Sequence, residues 1–391
     1  MTEQRDIAVV SVGRSDFGRY LPILRAMDDT PGLQYSLLAG GAHFDPRFGP
    51  SIQEIEASGV DWVPGLGAEV SEDSPAAVGK SIAKGTHLLA EHFEHHRPDL
   101  VVLSGDRFEM LSAAAAAIGF NLPIVHLHGG AVTEGAIDEQ VRHALTKMSH
   151  FHLVVCDLYS ARVRQMGEEP WRVAVTGAPG LDGIEDTADL SMAEISAAIG
   201  HNLNDGYFLV CFHPVTVEAD QIDFHIEQLM HALNQLPNDL VITYPNADFG
   251  HSRIIQALQQ FRDRNPTRTV LLENAGNRLF LSLLRHAAGI LGNSSSGIVE
   301  AATFKTPAIN IGTRQDGKMK PAQVIDCDHH ANAILQAVDK ARSETFCAQI
   351  SSLVNPYGDG CAGPRIAEIL SSLPLDDRLL RKRFVGVDEA A

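Results

Sequence analysis

Residues 126–150 read HLHGGAVTEGAIDEQVRHALTKMSH, with four histidines, two adjacent glycines and three carboxylates. Three chemistries compete for such a stretch: metal ligation, phosphate binding and proton transfer. His126 and His128 lie two apart on a strand, so they share a face. No HExxH motif is present and no cysteine assists, so no metal is expected. Asp138 and Arg142 stand four apart on a helix and share one face, and Glu139 and His143 repeat the spacing on the neighbouring face. A carboxylate and an arginine at a helix start, below a Gly-Gly turn, suit acid/base work beside an anionic leaving group.

Other candidates end apolar runs in the same manner. LSGDRFE (103–109) sets Asp106 at a strand end, where an acid–base role competes with simple helix capping. CFHPVT (211–216) does the same for His213, a catalytic or a purely structural histidine. SVGRSDFGRY (11–20) offers Arg14, and INIGTRQDGK (309–318) offers Arg314 and Lys318, to pair with phosphate or to sit in solvent. GNSSSGIVEAA (292–302) follows a strand and opens a helix. Its small residues let backbone N–H groups approach an anion, with the Ser294, Ser295 and Ser296 hydroxyls as further donors. Glu300, one turn in, suits a ribose diol better than a phosphate. A capped helix with a tight turn is the bland alternative.

All of these depend on strands that deliver them. Apolar runs at 6–13, 33–41, 99–106, 122–130, 151–157 and 171–177 alternate with helical patterns at 18–27, 108–119 and about 138–148. Gly/Pro/Asp punctuation at 177–187 reads as a linker. The pattern then restarts at 207–216, 239–248, 269–274, 287–292 and 306–312, with a helix after Pro364 and a charged tail expected to be partly exposed. Continuous apolar strands separated by amphipathic helices imply parallel sheets covered on both faces. Ligands of such sheets bind beyond the carboxyl ends of the strands, where every candidate lies.

The chain has 391 residues, too long for one ordinary core, so two domains are expected. A formal charge of −18 excludes a nucleic-acid or anionic-membrane surface. No apolar run approaches the ~18 residues that cross a bilayer, and no signal peptide is evident. Five widely spaced cysteines without a CxxC imply buried free thiols in a reducing cytoplasm.

Eight ordered segments (GRSDFGRYLPIL, SGDRFE, HLHGGAVTEGAIDEQVRHALTKMSH, FHPVT, YPNAD, GNSSSGIVEAA, INIGTRQ and NPYGDGCAGPRI) together resemble the hydrolysing UDP-N-acetylglucosamine 2-epimerases of the sialic-acid and legionaminic-acid type, over residues 6–370. The resemblance implies an α/β, GT-B-like fold: two Rossmann-type doubly wound domains facing a central cleft. Residues 1–178 would form the sugar side, 179–366 the UDP side, and 367–391 a helix and tail packing back on the first domain. It also implies a cytoplasmic homodimer or homotetramer that uses neither metal nor redox cofactor. The substrate would be a UDP-2-acetamido sugar. Its C2 proton is removed while UDP leaves C1, water adds to the C1=C2 glycal, and a proton returns to C2 from the other face. By resemblance, Arg14 and Arg314 serve the diphosphate, Ser294 and Ser295 the phosphate, and Glu300 the ribose. Asp106, Asp138, Arg142, His213 and His128 line the reacting sugar, with Asn246 nearby.

The sequence departs from the sialic-acid pattern H-I-E-G-G, having His128 at the glutamate, and it carries Ala131 where an acidic residue is common; Glu134 is a partial substitute. The form HGG…TEGA-DE is closer to the legionaminic branch, whose substrate is UDP-N,N′-diacetylbacillosamine. Rival readings are a non-hydrolysing 2-epimerase, a glycosyltransferase on the same fold, and a sugar-nucleotide-binding regulator without catalysis. GDP in place of UDP is a further possibility.

Overall fold

The computed structural model describes residues 4–44, 51–63, 75–133, 137–204, 206–245 and 250–386. The chain divides into two compact units, 1–182 with 357–391, and 183–356.

In the first unit seven parallel strands run in the order β3-β2-β1-β4-β5-β6-β7. They are β1 (Arg5–Ser11), β2 (Leu33–Ala39), β3 (Trp62–Val63), β4 (Leu100–Ser104), β5 (Ile124–Leu127), β6 (Phe151–Val154) and β7 (Val173–Val175). The side chains alternate as a pleat requires. Ile7, Val9, Leu100, Val102 and Val125 bury one face against Phe17, Tyr20 and Leu24 of the helix Arg14–Asp28. Ala8, Val10, Val101, Leu103 and Ile124 bury the other against Ala113 and Ala117 of the helix Met110–Gly119 and against Val141 and Leu145 of the helix Ile137–Met148. Both faces are covered, which is why these strands read as unbroken apolar runs.

The second unit holds six parallel strands in the order β10-β9-β8-β11-β12-β13. These are β8 (Phe208–Cys211), β9 (Leu240–Thr243), β10 (Thr269–Leu272), β11 (Gly289–Gly292), β12 (Ala308–Ile311) and β13 (Val324–Cys327). Each sheet reverses its winding once, between β1 and β4 and between β8 and β11. The carboxyl ends of those central strands are where such folds take ligands.

The linker at 177–187 contains the first crossing, but the return comes earlier than the sequence suggested: residues 357–366 belong with the first unit. The helix Ala362–Ser372 packs Ile366, Ala367 and Leu370 into the first unit's core. The Asp182 carboxylate accepts from the amides of Ala362 at 2.9 Å and Gly363 at 2.5 Å, so the crossing and the return share a cap. Gly363 is obligatory there, since an added Cβ would lie 2.7 Å from the Pro22 carbonyl oxygen.

The tail is held more firmly than its charge suggested. Fully buried Arg172 donates to the carbonyls of Leu379 and Arg378, both at 2.7 Å. Lys382 donates to the carbonyls of Ser149 at 2.6 Å and Lys147 at 2.9 Å, at the C-terminal end of the helix Ile137–Met148, and also pairs with buried Glu168 at 2.8 Å. The sequence reading also missed β3, β13 and the helix Pro75–His95. All five cysteines are free, but only Cys156 and Cys211 are buried; Cys347 and Cys361 are exposed and Cys327 is intermediate. Among the described residues no helix is long and apolar enough to cross a membrane.

Candidate active site

The first unit builds its site from the ends of β4 and β5. Leu100–Ser104 is wholly buried and runs into Gly105, whose φ of +79° is a conformation that favours glycine. That turn lifts Asp106 out of the sheet. The Gly105 carbonyl is bonded by His126 Nε2 at 2.8 Å, while His126 Nδ1 meets Thr146 Oγ1 at 3.2 Å. His126 therefore ties the Asp106 turn to the helix Ile137–Met148. Its burial, the largest cause, lowers its pKa to about 4, so the ring is neutral.

That helix carries the central cation. Arg142 is 2% exposed and pairs with Asp106 Oδ2. It also donates to Glu139 Oε2 and Thr133 Oγ1, both at 2.9 Å, and to the Ala131 carbonyl at 3.1 Å. The partner on its own helix is thus Glu139, three residues back, with the Asp138–Arg142 spacing serving electrostatics alone. Glu139 also accepts from the Thr133 amide at 2.7 Å and meets His143 Nε2 at 2.8 Å. Burial pushes its carboxyl up, but these bonds and Arg142 outweigh it and leave the pKa lowered.

Asp138 is different. Burial raises its pKa most, the Asp106 charge raises it further, and Arg107 and Arg142 oppose both. A carboxyl that holds its proton longer than usual, beside a carboxylate paired to a buried arginine, is an arrangement suited to proton exchange at carbon. His128 adds a second unusual group. It has φ +65° without being glycine, and its buried Nε2 has no hydrogen-bond partner. Burial first, then the Arg19, His126 and Arg142 charges, hold its pKa well below the ordinary value. A left-handed residue with an orphaned ring nitrogen is a strained group of the kind that collects at functional sites.

Nearby polar groups were not legible in the sequence. Arg107 pairs with buried Glu109 at 2.7 Å. Asp16, in the first turn of the helix after β1, is buried and raised to about 6, chiefly by that burial. Arg14 opens the same helix. Glu134 and Asn246 lie outside the described residues.

The second unit builds its site from the ends of β8, β11 and β12, and Asn293 joins them. Fully buried, it accepts from the His213 amide at 2.7 Å and donates to the His213 carbonyl at 2.9 Å. Its own carbonyl accepts from Arg314 Nη1 at 3.2 Å and Gln315 Nε2 at 2.8 Å. The preceding Gly292 has φ +142°, and a Cβ there would stand 2.0 Å from the Cys211 carbonyl oxygen. His213 is lowered to about 3 by burial and then by the Arg314 charge, so it offers a neutral ring. Ser294 Oγ accepts from the Ser296 amide at 3.3 Å, and Ser295 is exposed. The helix expected after this turn is present but short: a 3-10 stretch, Ser295–Gly297, precedes a five-residue helix, Glu300–Phe304. Any anion binding rests on hydroxyls, amides and Arg314 more than on a helix dipole.

The structure thus groups Asp106, Asp138, Arg142 and His128 on the first unit, and gathers His213, Arg314 and Ser294 around Asn293 on the second. Two doubly wound α/β units, one with a carboxylate–arginine cluster at its strand ends and one with a hydroxyl-rich turn beside an arginine, place the fold in the GT-B-like class. The chain belongs to the UDP-N-acetylglucosamine 2-epimerase family, whose description matches residues 25–371. It is 34% identical over 346 residues to a hydrolysing GDP/UDP-N,N′-diacetylbacillosamine 2-epimerase of Campylobacter jejuni, covering 88% of this chain and 89% of that protein. It is 32% identical over 378 residues to a hydrolysing UDP-N,N′-diacetylbacillosamine 2-epimerase of Legionella pneumophila, covering 97% and 98%. Its fold is similar to that of a Neisseria meningitidis UDP-GlcNAc 2-epimerase solved with UDP-GlcNAc, with a TM-score of 0.79 at 16% identity over 93% and 99% of the two chains.

Proposed function

We propose that this protein is a hydrolysing 2-epimerase of a UDP-2-acetamido sugar, with UDP-N,N′-diacetylbacillosamine preferred over UDP-N-acetylglucosamine. The observation that carries the reading is the carboxyl pair on the first unit: Asp106 ion-paired to buried Arg142, and Asp138 with a raised pKa within its electrostatic reach. Abstracting a weakly acidic C2 proton and returning one to the other face needs two such groups in different protonation states.

In this reading Asp106 takes the C2 proton as the C1–O bond to UDP breaks, leaving a C1=C2 glycal. Water then adds its hydroxyl to C1 and gives its other proton to solvent, Asp138 delivers a proton to C2, and proton exchange with solvent returns Asp106 to the carboxylate and Asp138 to the acid. The net change is UDP-sugar plus water to UDP plus the free 2-epimer. His128, neutral and with Nε2 unpaired, stands where the sialic-acid type has glutamate and relays protons or receives the 4-acetamido group. Arg14, Arg314, Ser294 and Ser295 hold the diphosphate, and Glu300 and Asn246 the nucleoside and sugar. His213, neutral, contributes an N–H donor to the leaving group and no charge. The names of the Campylobacter and Legionella relatives support the 4-acetamido substrate. A cytoplasmic homo-oligomer supplying nonulosonic-acid synthesis, whether sialic or legionaminic, completes the reading.

Proton NMR in D₂O, with each sugar nucleotide and no acceptor or added metal, tests it. Free UDP and a manno sugar deuterated at C2 are expected, faster from the diacetamido substrate. Epimerised sugar still bearing UDP would indicate the non-hydrolysing enzyme, consumption only with an acceptor a glycosyltransferase, and intact substrate a binding protein. A GDP-linked sugar run alongside reads the base preference.

A further inference from the structure

Apart from the residues treated so far, the second unit assembles two imidazoles and a carboxylate. Glu218 lies in the short 3-10 stretch Thr216–Gln221, His225 in the first turn of the helix Ile222–Gln235, and His329 in the turn beyond β13. One ligand atom from each lies within 4.8 Å of the others, and no other such trio occurs among the described residues. His225 is 3% exposed, and its Nε2 has no hydrogen-bond partner; neither ring nitrogen of His329 has one. The two rings stack with centroids 3.5 Å apart and planes within 9°.

Both rings turn Nε2 toward the same atom. Glu218 Oε2 lies 3.5 Å from His225 and 3.6 Å from His329. These distances exceed an N–H···O hydrogen bond, so two buried ring nitrogens and a partly exposed carboxylate oxygen are brought together without either nitrogen being satisfied. They do match the ~3.4 Å that separates two donors of a tetrahedral ion with bonds of ~2.0–2.1 Å. Thr313 Oγ1 donates to the other oxygen, Oε1, and so fixes the carboxylate while leaving Oε2 available. Room for the His329 ring exists only because residue 312 is glycine, where a Cβ would stand 2.1 Å from His329 Nε2. Burial also lowers both imidazole pKa values, His329 to about 4, so the rings are in the neutral form that ligates metal.

We propose that Glu218, His225 and His329 form a binding site for one divalent ion of the zinc class, taken by Glu218 Oε2 and the two Nε2 atoms with water completing the coordination. Two nitrogens and one oxygen favour zinc, cobalt or nickel over magnesium or calcium, which prefer all-oxygen sets. The parallel rings must splay for both lone pairs to reach the ion. A bound ion would tie the start of the helix Ile222–Gln235 to the turns beyond β12 and β13 and so brace Thr313, the neighbour of Arg314. No motif marks the site in the sequence, because His329 is far from the other two in the chain and no metal-ligand spacing links them. The proposal does not depend on the proposed reaction.

The test uses the full chain, stripped with chelator and titrated with Co²⁺ under visible spectroscopy, then with Zn²⁺ as competitor. One equivalent of Co²⁺ with d–d bands, displaced by Zn²⁺, is expected, together with a rise in Tm on Zn²⁺ addition that Mg²⁺ does not produce. His329→Ala should weaken Zn²⁺ binding by at least ~100-fold, the loss of one of three protein ligands. Glu218→Gln keeps the bulk of the side chain, guards against misfolding, and should weaken binding in the same direction. Wild-type protein that binds no Co²⁺, or binds it no better than the two variants, overturns the proposal, as does stabilisation by Mg²⁺ equal to that by Zn²⁺.

Discussion

Asp106→Asn probes the acid–base cluster with the least disturbance of shape. The amide keeps an acceptor oxygen for Arg142 and removes only the negative charge. Arg142 retains Glu139, Thr133 and the Ala131 carbonyl as acceptors. The Asp106 side chain is 24% exposed, so the stability cost is about 1–2 kcal/mol, below the ~3–5 kcal/mol of breaking a fully buried pair. Turnover should fall much further, since a positioned general base contributes ~10²–10⁴-fold. Loss of the Asp106 charge also removes one cause of the raised Asp138 pKa, so the alkaline limb of the residual pH–rate profile, where the proton donor is lost, should move to lower pH. UDP binding, assigned to Arg14 and to groups of the second unit and not to Asp106, should be unchanged. The assay is UDP release under saturating substrate from pH 4 to 9, with calorimetric UDP titration as the control. A folded Asp106→Asn protein that retains turnover within threefold of the parent would refute the role given to Asp106.

Three further outcomes follow from the geometry. Gly292→Ala places a Cβ 2.0 Å from the Cys211 carbonyl oxygen at φ +142°, so urea unfolding should show a loss of about 3 kcal/mol or more, and a loss below 1 kcal/mol would contradict the close approach. Lys382→Met keeps the apolar stem but leaves the Ser149 and Lys147 carbonyls without their donor; about 2 kcal/mol of stability should go, read as a lower urea midpoint, and an unchanged midpoint would show the tail to be loosely held. Stability should also depend on pH through buried groups. Burial lowers His43 and His126 from 6.5 to about 4, so the unfolded state takes up protons first and stability is lost as pH falls from 6.5 toward 4, by up to about 3 kcal/mol for each. Asp16, raised to about 6 by burial, acts in the opposite sense: its contribution is full below 3.8 and is lost as pH rises through 6. The two histidines outweigh it, so urea midpoints should fall between pH 7 and pH 5; a rise would show Asp16 to dominate.

The alternation of the fold was legible in the sequence because parallel strands covered on both faces must be apolar throughout, and because glycine ends them where the chain turns. That logic located Asp106, His213 and Ser294 at strand ends; His128, expected on the strand with His126, instead lies one residue beyond β5 in left-handed backbone. The helix Ile137–Met148 followed from its period, to within a residue of its start. β13 escaped because it is a four-residue edge strand, VIDC, whose apolar run is interrupted by the exposed Asp326. β3 is too short, at two residues, to leave a pattern.

Tertiary structure alone decided which polar groups meet. On the helix, spacing paired Arg142 with Asp138 and Glu139 with His143; the second pair forms, but Arg142 bonds Glu139 as well, which the Thr133 amide fixes beside the guanidinium. Asn293 showed no sequence signal, yet it joins three strand ends, because a buried amide can satisfy the backbone of one strand with its side chain and two side chains with its carbonyl. The pKa differences between Asp138, Glu139 and His128 come from burial and from charges on separate elements. Sequence determined the residue types and the strand ends on which they ride. Packing decided their partners and protonation, since electrostatics acts through space and depends on distances that spacing along a chain does not set.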